Sequence, residues 1–160
     1  MDIYKSALEK EKAAEHFYRD LSEKTINKGL KSIFSLLADQ ESKHRKAIEQ
    51  LEAGQQEPLE TGASGDISKL FEDIIQSKDF DNLGIDQIEL YKKAQDIEKK
   101  SRDFYLEKAE QAKIPIQKKA FLNLAEEERK HFFLLDNIIE FVSRPYNWLE
   151  NAEFFHLEEY

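Results

Sequence analysis

The chain has 160 residues and no cysteine. Disulfides, zinc ribbons, thiolate nucleophiles and cysteine-ligated iron centres are therefore excluded within it. Glycine and proline are also scarce, at 5 and 3 residues, which argues against a turn-rich β fold and for long helices. No apolar run approaches the ~20 residues of a membrane-spanning helix. The opening "MDIYKSALEKEK" lacks the basic and apolar regions of a signal peptide, so a cytoplasmic location is expected. An excess of positive charge is missing too. Lys and Arg number 24 against 33 Asp and Glu, a formal charge of -9. Without a basic stripe, neither nucleic acid nor an anionic membrane surface is an expected partner.

What remains is 40% hydrophobic and 36% charged, enough apolar material for one all-α domain. Apolar residues recur in alternating steps of three and four along four stretches. The first runs from about Ile3 to Ile26, with the inward seam Tyr4, Ala7, Glu11, Ala14, Tyr18, Leu21 and Thr25. The second runs from about Leu30 to Ala53, with Phe34, Leu37, Glu41, His44, Ile48 and Leu51. "INKGL" between them reads as a short polar turn around Gly29, making these helices antiparallel neighbours. The third, Asp86 to Ala112, carries Tyr91, Ala94, Glu98, Ser101 and Tyr105. The fourth starts at Pro115, a favoured first-turn residue, and reaches Val142 with Phe121, Leu124, Glu128, His131, Leu135 and Ile138. The segment between the second and third is too long for a tight turn. It suits a crossover along an antiparallel four-helix bundle and contains one short amphipathic stretch, Ile67 to Ile75. The expected division is a bundle over 1–143 and an aromatic-rich tail over 144–160, "RPYNWLENAEFFHLEEY" following Ser143, which reads as a short C-terminal helix.

An internal repeat organises these seams. An offset of 87 relates Glu11 to Glu98, Tyr18 to Tyr105, Phe34 to Phe121, Glu41 to Glu128 and His44 to His131. The chain reads as a duplicated helical hairpin with pseudo-two-fold symmetry. Of only four histidines, two fall in register inside this repeat, whereas His16 and His156 read as surface residues. Glu15, Asp39 and Glu126 read as solvated, with Asp39 a candidate to orient a histidine from outside the cluster.

Residues three apart on a helix share a face. "LADQESKH" and "LAEEERKH" thus project Glu41 with His44 and Glu128 with His131 from mid-seam, flanked by leucine, isoleucine and phenylalanine. Packing four helices brings four carboxylates and two imidazoles to one level of the core. Bare, that cluster is costly, and some carboxylates would take up protons. Two divalent ions supply the compensating charge, and bridging carboxylates with imidazole nitrogen suit a pair of iron or manganese ions, with zinc an alternative. One Glu from each of two helices plus Glu-x-x-His from each of the other two is the general pattern of di-iron carboxylate bundles.

With "EKAAEHFY", "EKKSRDFY", "ADQESKH" and "AEEERKH" in place, the chain resembles the rubrerythrin branch of the ferritin-like superfamily over about Ile3 to Val142. The resemblance implies a ferritin-like four-helix bundle with a long crossover between its second and third helices. It implies Glu11 and Glu98 as terminal ligands, Glu41 and Glu128 as bridges, and His44 and His131 each capping one metal of a di-iron centre. Tyr18 and Tyr105 would be hydrogen-bond donors beside it. It further implies an oxidoreductase of oxidative-stress defence, a cytoplasmic homodimer, reducing hydrogen peroxide or dioxygen with electrons from an external donor protein such as a rubredoxin. The alternative is an iron-binding, ferroxidase or metal-handling protein without sustained turnover. The family's fifth carboxylate, three residues after the third-helix ligand, is here Ser101, with Ala14 as its repeat mate.

Overall fold

The computed structural model describes residues 2–54, 65–78 and 80–145. Three of the four long helices begin where the sequence supplies a start. The Asp2 carboxylate accepts from the Tyr4 backbone N–H at 2.9 Å and opens α1 (Ile3–Lys24). The Asn27 side chain accepts from Leu30 N–H at 3.0 Å and opens α2 (Lys28–Glu52). Within the crossover lie α3 (Gly65–Ser77) and a single 3-10 turn at Ile85–Gln87, and α4 (Ile88–Gln111) follows. Pro115 begins α5 (Pro115–Ser143), in the first turn where its missing N–H costs nothing. Among the described residues there is no strand.

The short links at 25–27 and 112–114 fold α1 on α2 and α4 on α5. The two hairpins then face each other, α1 against α4 and α2 against α5, while α3 lies along α2. This is the antiparallel bundle with a long crossover that the periodicity predicts. The seams fall inside almost without exception; of the residues assigned to them only Tyr4 is less than fully buried.

Apolar packing divides into two clusters. One gathers Tyr18, Leu21, Phe34, Leu37, Phe71, Tyr91, Leu135, Ile138 and Phe141. The other gathers Ala7, Ile48, Leu51, Tyr105, Phe121 and Leu124. On every long helix the chain passes from one cluster to the other across a polar step: Glu11 on α1, Glu41 and His44 on α2, Glu98 on α4, Glu128 and His131 on α5. Each buried Leu, Ile or Phe stabilises by about 1.5–3 kcal/mol relative to exposure. The two apolar layers are thus strong enough to hold a costly polar layer between them.

Two readings of the sequence change. Gly29 is not part of the turn. It lies inside the first turn of α2, and a Cβ there would sit 2.3 Å from Ile74 Cγ1, so its role is to let α3 approach α2. The turn proper is residues 25–27, with Ile26 73% exposed. The amphipathic stretch within the crossover is longer than read, a full helix that buries Ile67, Phe71, Ile74 and Ile75. Gly84 also has a specific duty. It adopts φ 77° before the 3-10 turn, and a Cβ would meet the Tyr91 hydroxyl at 2.6 Å. Of the tail, residues 146–160 lie outside the described residues, and with them the expected C-terminal helix and His156.

The close α2–α3 approach predicts the behaviour of Gly29→Ala. The helix gains at most about 1 kcal/mol of propensity, and overpacking against Ile74 costs about 1–3 kcal/mol. The melting temperature should fall, and Ile74→Ala should cost less in that variant than in the parent. A Gly29→Ala protein that melts higher than the parent would contradict this packing.

Candidate metal centre

The duplicated hairpin places each polar side chain by simple register. Glu41 and His44 leave α2 one turn apart and point into the bundle; Glu128 and His131 do the same from α5, and Glu11 and Glu98 come from α1 and α4. All six are essentially inaccessible to solvent. They form two overlapping groups, Glu11–Glu41–His44–Glu128 and Glu41–Glu98–Glu128–His131. Within each, one potential ligand atom per residue lies within 4.8 Å of the others. Glu41 and Glu128 belong to both groups. Glu11 with His44, and Glu98 with His131, belong to one each.

His44 Nδ1 is 2.9 Å from Glu128, 3.5 Å from Glu11 and 3.6 Å from Glu41. His131 Nδ1 is 3.1 Å from Glu41 and 3.3 Å from Glu98. The two rings lie nearly parallel, 10° apart, with centroids 5.8 Å apart. The tyrosines tie the hairpins together across the cluster. Tyr18 on α1 donates its hydroxyl to Glu98 on α4 at 2.5 Å, and Tyr105 on α4 donates to Glu11 on α1 at 2.5 Å. Both phenols are pushed well above their ordinary pKa by burial and by the neighbouring carboxylates, so they stay donors at any physiological pH.

The electrostatics show how the cluster survives without metal. Burial, reinforced by Glu41, lifts Glu11 to about 8. Burial and the charges of Glu41, Glu98 and Glu11 lift Glu128 well above the carboxylate range. For Glu41 burial acts in the same direction, but contacts with Glu11 and both histidines outweigh it and the carboxyl is lowered. Glu98 is lowered likewise, against burial, by His131, Glu128 and Tyr18. Burial alone would depress both histidines. The carboxylates override it, raising His44 well above its ordinary value, Glu11 foremost, and taking His131 to about 10, Glu98 foremost. Near neutrality two carboxylates are therefore protonated and two ionised, and two imidazolium ions balance the ionised pair.

Protons neutralise the charge but leave the polar atoms poorly partnered. Glu128 Oε2 and His44 Nε2 are buried without a hydrogen bond, and Glu11 Oε2, Glu41 Oε2 and Glu98 Oε2 have no well-formed one. In a sealed core each such atom is costly. Oxygen-rich donors with two imidazoles, aimed at one another and unsatisfied, fit a pair of divalent first-row ions.

Other sequence readings sort cleanly. His16 is exposed. Asp39 is exposed and pairs with Arg19 at 2.6 Å, so it does not orient a histidine. Glu126 is held by Arg129, and Glu15 by Arg45 at 3.1 Å. The residue missed was Gln40. It is buried, and its side-chain oxygen meets His131 Nε2 in a very short contact. Its signal was available: the 87-residue offset pairs Gln40 with Glu127, each immediately before a seam glutamate. A seam-only reading places both beside the buried face and passes over them.

An all-α bundle of duplicated hairpins, with Glu and Glu-x-x-His steps facing one another, defines a helical protein whose core gathers the donors of a candidate metal site. The rubrerythrin family model matches residues 2–71 and 89–157, and the chain belongs to that family. No curated protein and no solved structure matches it.

The raised pKa values fix how the metal-free fold responds to pH. Glu11 ionises at about 8 in the core and near 4.5 when free, and His131 at about 10 against 6.5. Both keep protons in the folded state that the unfolded chain has released. Their contribution is complete at low pH and is lost as pH rises through those folded values. Glu41 and Glu98, shifted down, contribute above the carboxylate range and lose that contribution as pH falls below it. The chelator-treated protein should thus melt at its highest temperature in mildly acidic buffer and progressively lower from about pH 6 to about pH 9. A melting temperature that rises over that interval would refute this charge assignment.

Proposed function

We propose that the chain is a di-iron oxidoreductase that reduces hydrogen peroxide, or dioxygen, with electrons from a separate donor protein. The observation that carries this reading is the overlap of the two four-residue groups on Glu41 and Glu128. Two carboxylates shared between adjacent ligand sets are what a bridged pair of ions requires, and Glu11 with His44 and Glu98 with His131 remain to hold one ion each. Manganese and zinc can occupy such a donor set, but a bound redox-active pair such as iron supplies two electrons to a peroxide or dioxygen substrate.

The protein's own contribution follows from its side chains. Loading the centre requires the protons of Glu11 and Glu128 and one from each imidazolium to leave, about four protons for two divalent ions. Affinity should therefore fall with acidity. Tyr18 and Tyr105 each hold the Oε1 oxygen of the opposite hairpin's carboxylate, Glu98 and Glu11, and restrain how that carboxylate sits in the cluster. Their hydroxyl protons lie directly against two of the cluster's carboxylates. The two apolar layers exclude bulk water, which strengthens every charge interaction at the centre. None of these 160 residues is a cysteine that could hold a rubredoxin-type centre, and a rubredoxin is the proposed donor. Ser101, 4% exposed, is one turn from Glu98 and too short to add a fifth carboxylate, leaving the ligand set symmetric between the hairpins.

Bridging and terminal roles have different consequences. Glu41→Ala and Glu128→Ala should each weaken the binding of both ions, and Glu11→Ala and Glu98→Ala mainly one. Titration of the metal-free protein with ferrous ion under anaerobic conditions measures this, and equal losses for all four variants would remove the bridging assignment.

The activity itself is tested by loading iron anaerobically, adding an artificial electron donor, and following peroxide consumption. Many turnovers per di-iron centre are expected, falling to background in the Glu41→Ala variant. A single stoichiometric oxidation, with no further consumption while reductant is in excess, would instead support iron handling or ferroxidase activity.

A further inference from the structure

The 87-residue repeat makes the six inner residues symmetric, but the shell around the two histidines is not. His131 turns Nδ1 toward Glu41 and Glu98, and its other nitrogen, Nε2, meets Gln40 Oε1 on α2 of the opposite hairpin. An amide oxygen can only accept. The proton is therefore held on Nε2, and the Nδ1 lone pair becomes available to the cluster once its own proton leaves. His44 has no such partner. Its Nε2 is buried without a hydrogen bond. The repeat counterpart of Gln40 is Glu127, a carboxylate rather than an amide, whose own Oε2 is also buried without a partner. Gln40 further borders a surface cleft lined by Leu36, Lys43 and Ile67, so it links His131 to the bundle's outer face.

Resting on the metal centre proposed above, we infer that Gln40 is a positioning residue for His131 and that its lack of a counterpart on His44 makes the two metal positions unequal, the His131–Glu98 position filling first. A ring already held at its far nitrogen loses no orientational freedom when Nδ1 engages an ion, and its remaining N–H stays satisfied. The His44 ring must be fixed by the ion itself, with a buried N–H left unpaired. Partners of this kind change metal affinity by about 10–100-fold, and that is the expected ratio between the two positions.

The test is a cobalt(II) titration of the full-length, metal-free protein, followed by calorimetry and by the visible cobalt spectrum, whose intensity reports ligand geometry apart from any activity. The parent should bind two ions in resolved steps. His131→Ala should remove the tighter step and His44→Ala the weaker. Gln40→Leu should weaken the tighter step by about 10–100-fold and leave the weaker one unchanged. Gln40→Glu, which keeps an acceptor, should preserve the separation. Two ions bound by the parent with one affinity, or a Gln40→Leu protein in which both steps fall together or neither moves, would overturn the positioning role and leave the metal centre standing. A parent that binds no cobalt would overturn both.

Discussion

Four carboxylates held in a dry helical core are the constraint on which the rest of this structure depends. Left ionised and alone, they would repel one another without hydration to screen them, at a cost of several kcal/mol per charge. The fold answers with proximity to bases: two imidazoles among the carboxylates, and protons on Glu11 and Glu128, bring the layer to neutrality. That answer leaves lone pairs and N–H groups without partners. The unsatisfied atoms of Glu128 and His44 are the mark of a layer shaped for something stronger than protons.

Everything around the layer holds it at one height. The apolar clusters on either side place ranks of leucine, isoleucine and aromatic rings on all four long helices, so that a slip of any helix by one turn would bury its glutamate among hydrocarbon. The tyrosines add a second restraint, because each runs from one hairpin to the carboxylate of the other. The crossover is part of the same arrangement. Two hairpins related by a pseudo-two-fold need a connection that travels the length of the bundle, and α3 turns that connection into further core. Gly29 is the residue that admits it, since any side chain there would occupy the space of Ile74.

Duplication gives symmetry only to what the repeat preserved. Three inner residues and one tyrosine recur in each half. Ser101 and Ala14, or Gln40 and Glu127, show where the halves have diverged while staying in register. Such positions sit beside the cluster rather than in it. They can alter the behaviour of one half without disturbing the charge balance that holds the core together.

The architecture and the membership of the polar layer were legible before any helix was placed against another. Helix periodicity is local, so the seams could be read from spacing, and a polar residue at a seam position is conspicuous because burial there is expensive. Glu11, Glu41, His44, Glu98, Glu128 and His131 were all legible in this way, and the repeat made their pairing legible too. Matters that depend on where one helix lies against another needed the packed fold. It showed that Gly29 serves helix approach and not a turn, that Asp39 faces solvent and Arg19, and that Gln40 on α2 reaches a histidine on α5. It also decided which carboxylates keep their protons, since identical glutamates differ only in the distances to neighbours carried by other helices.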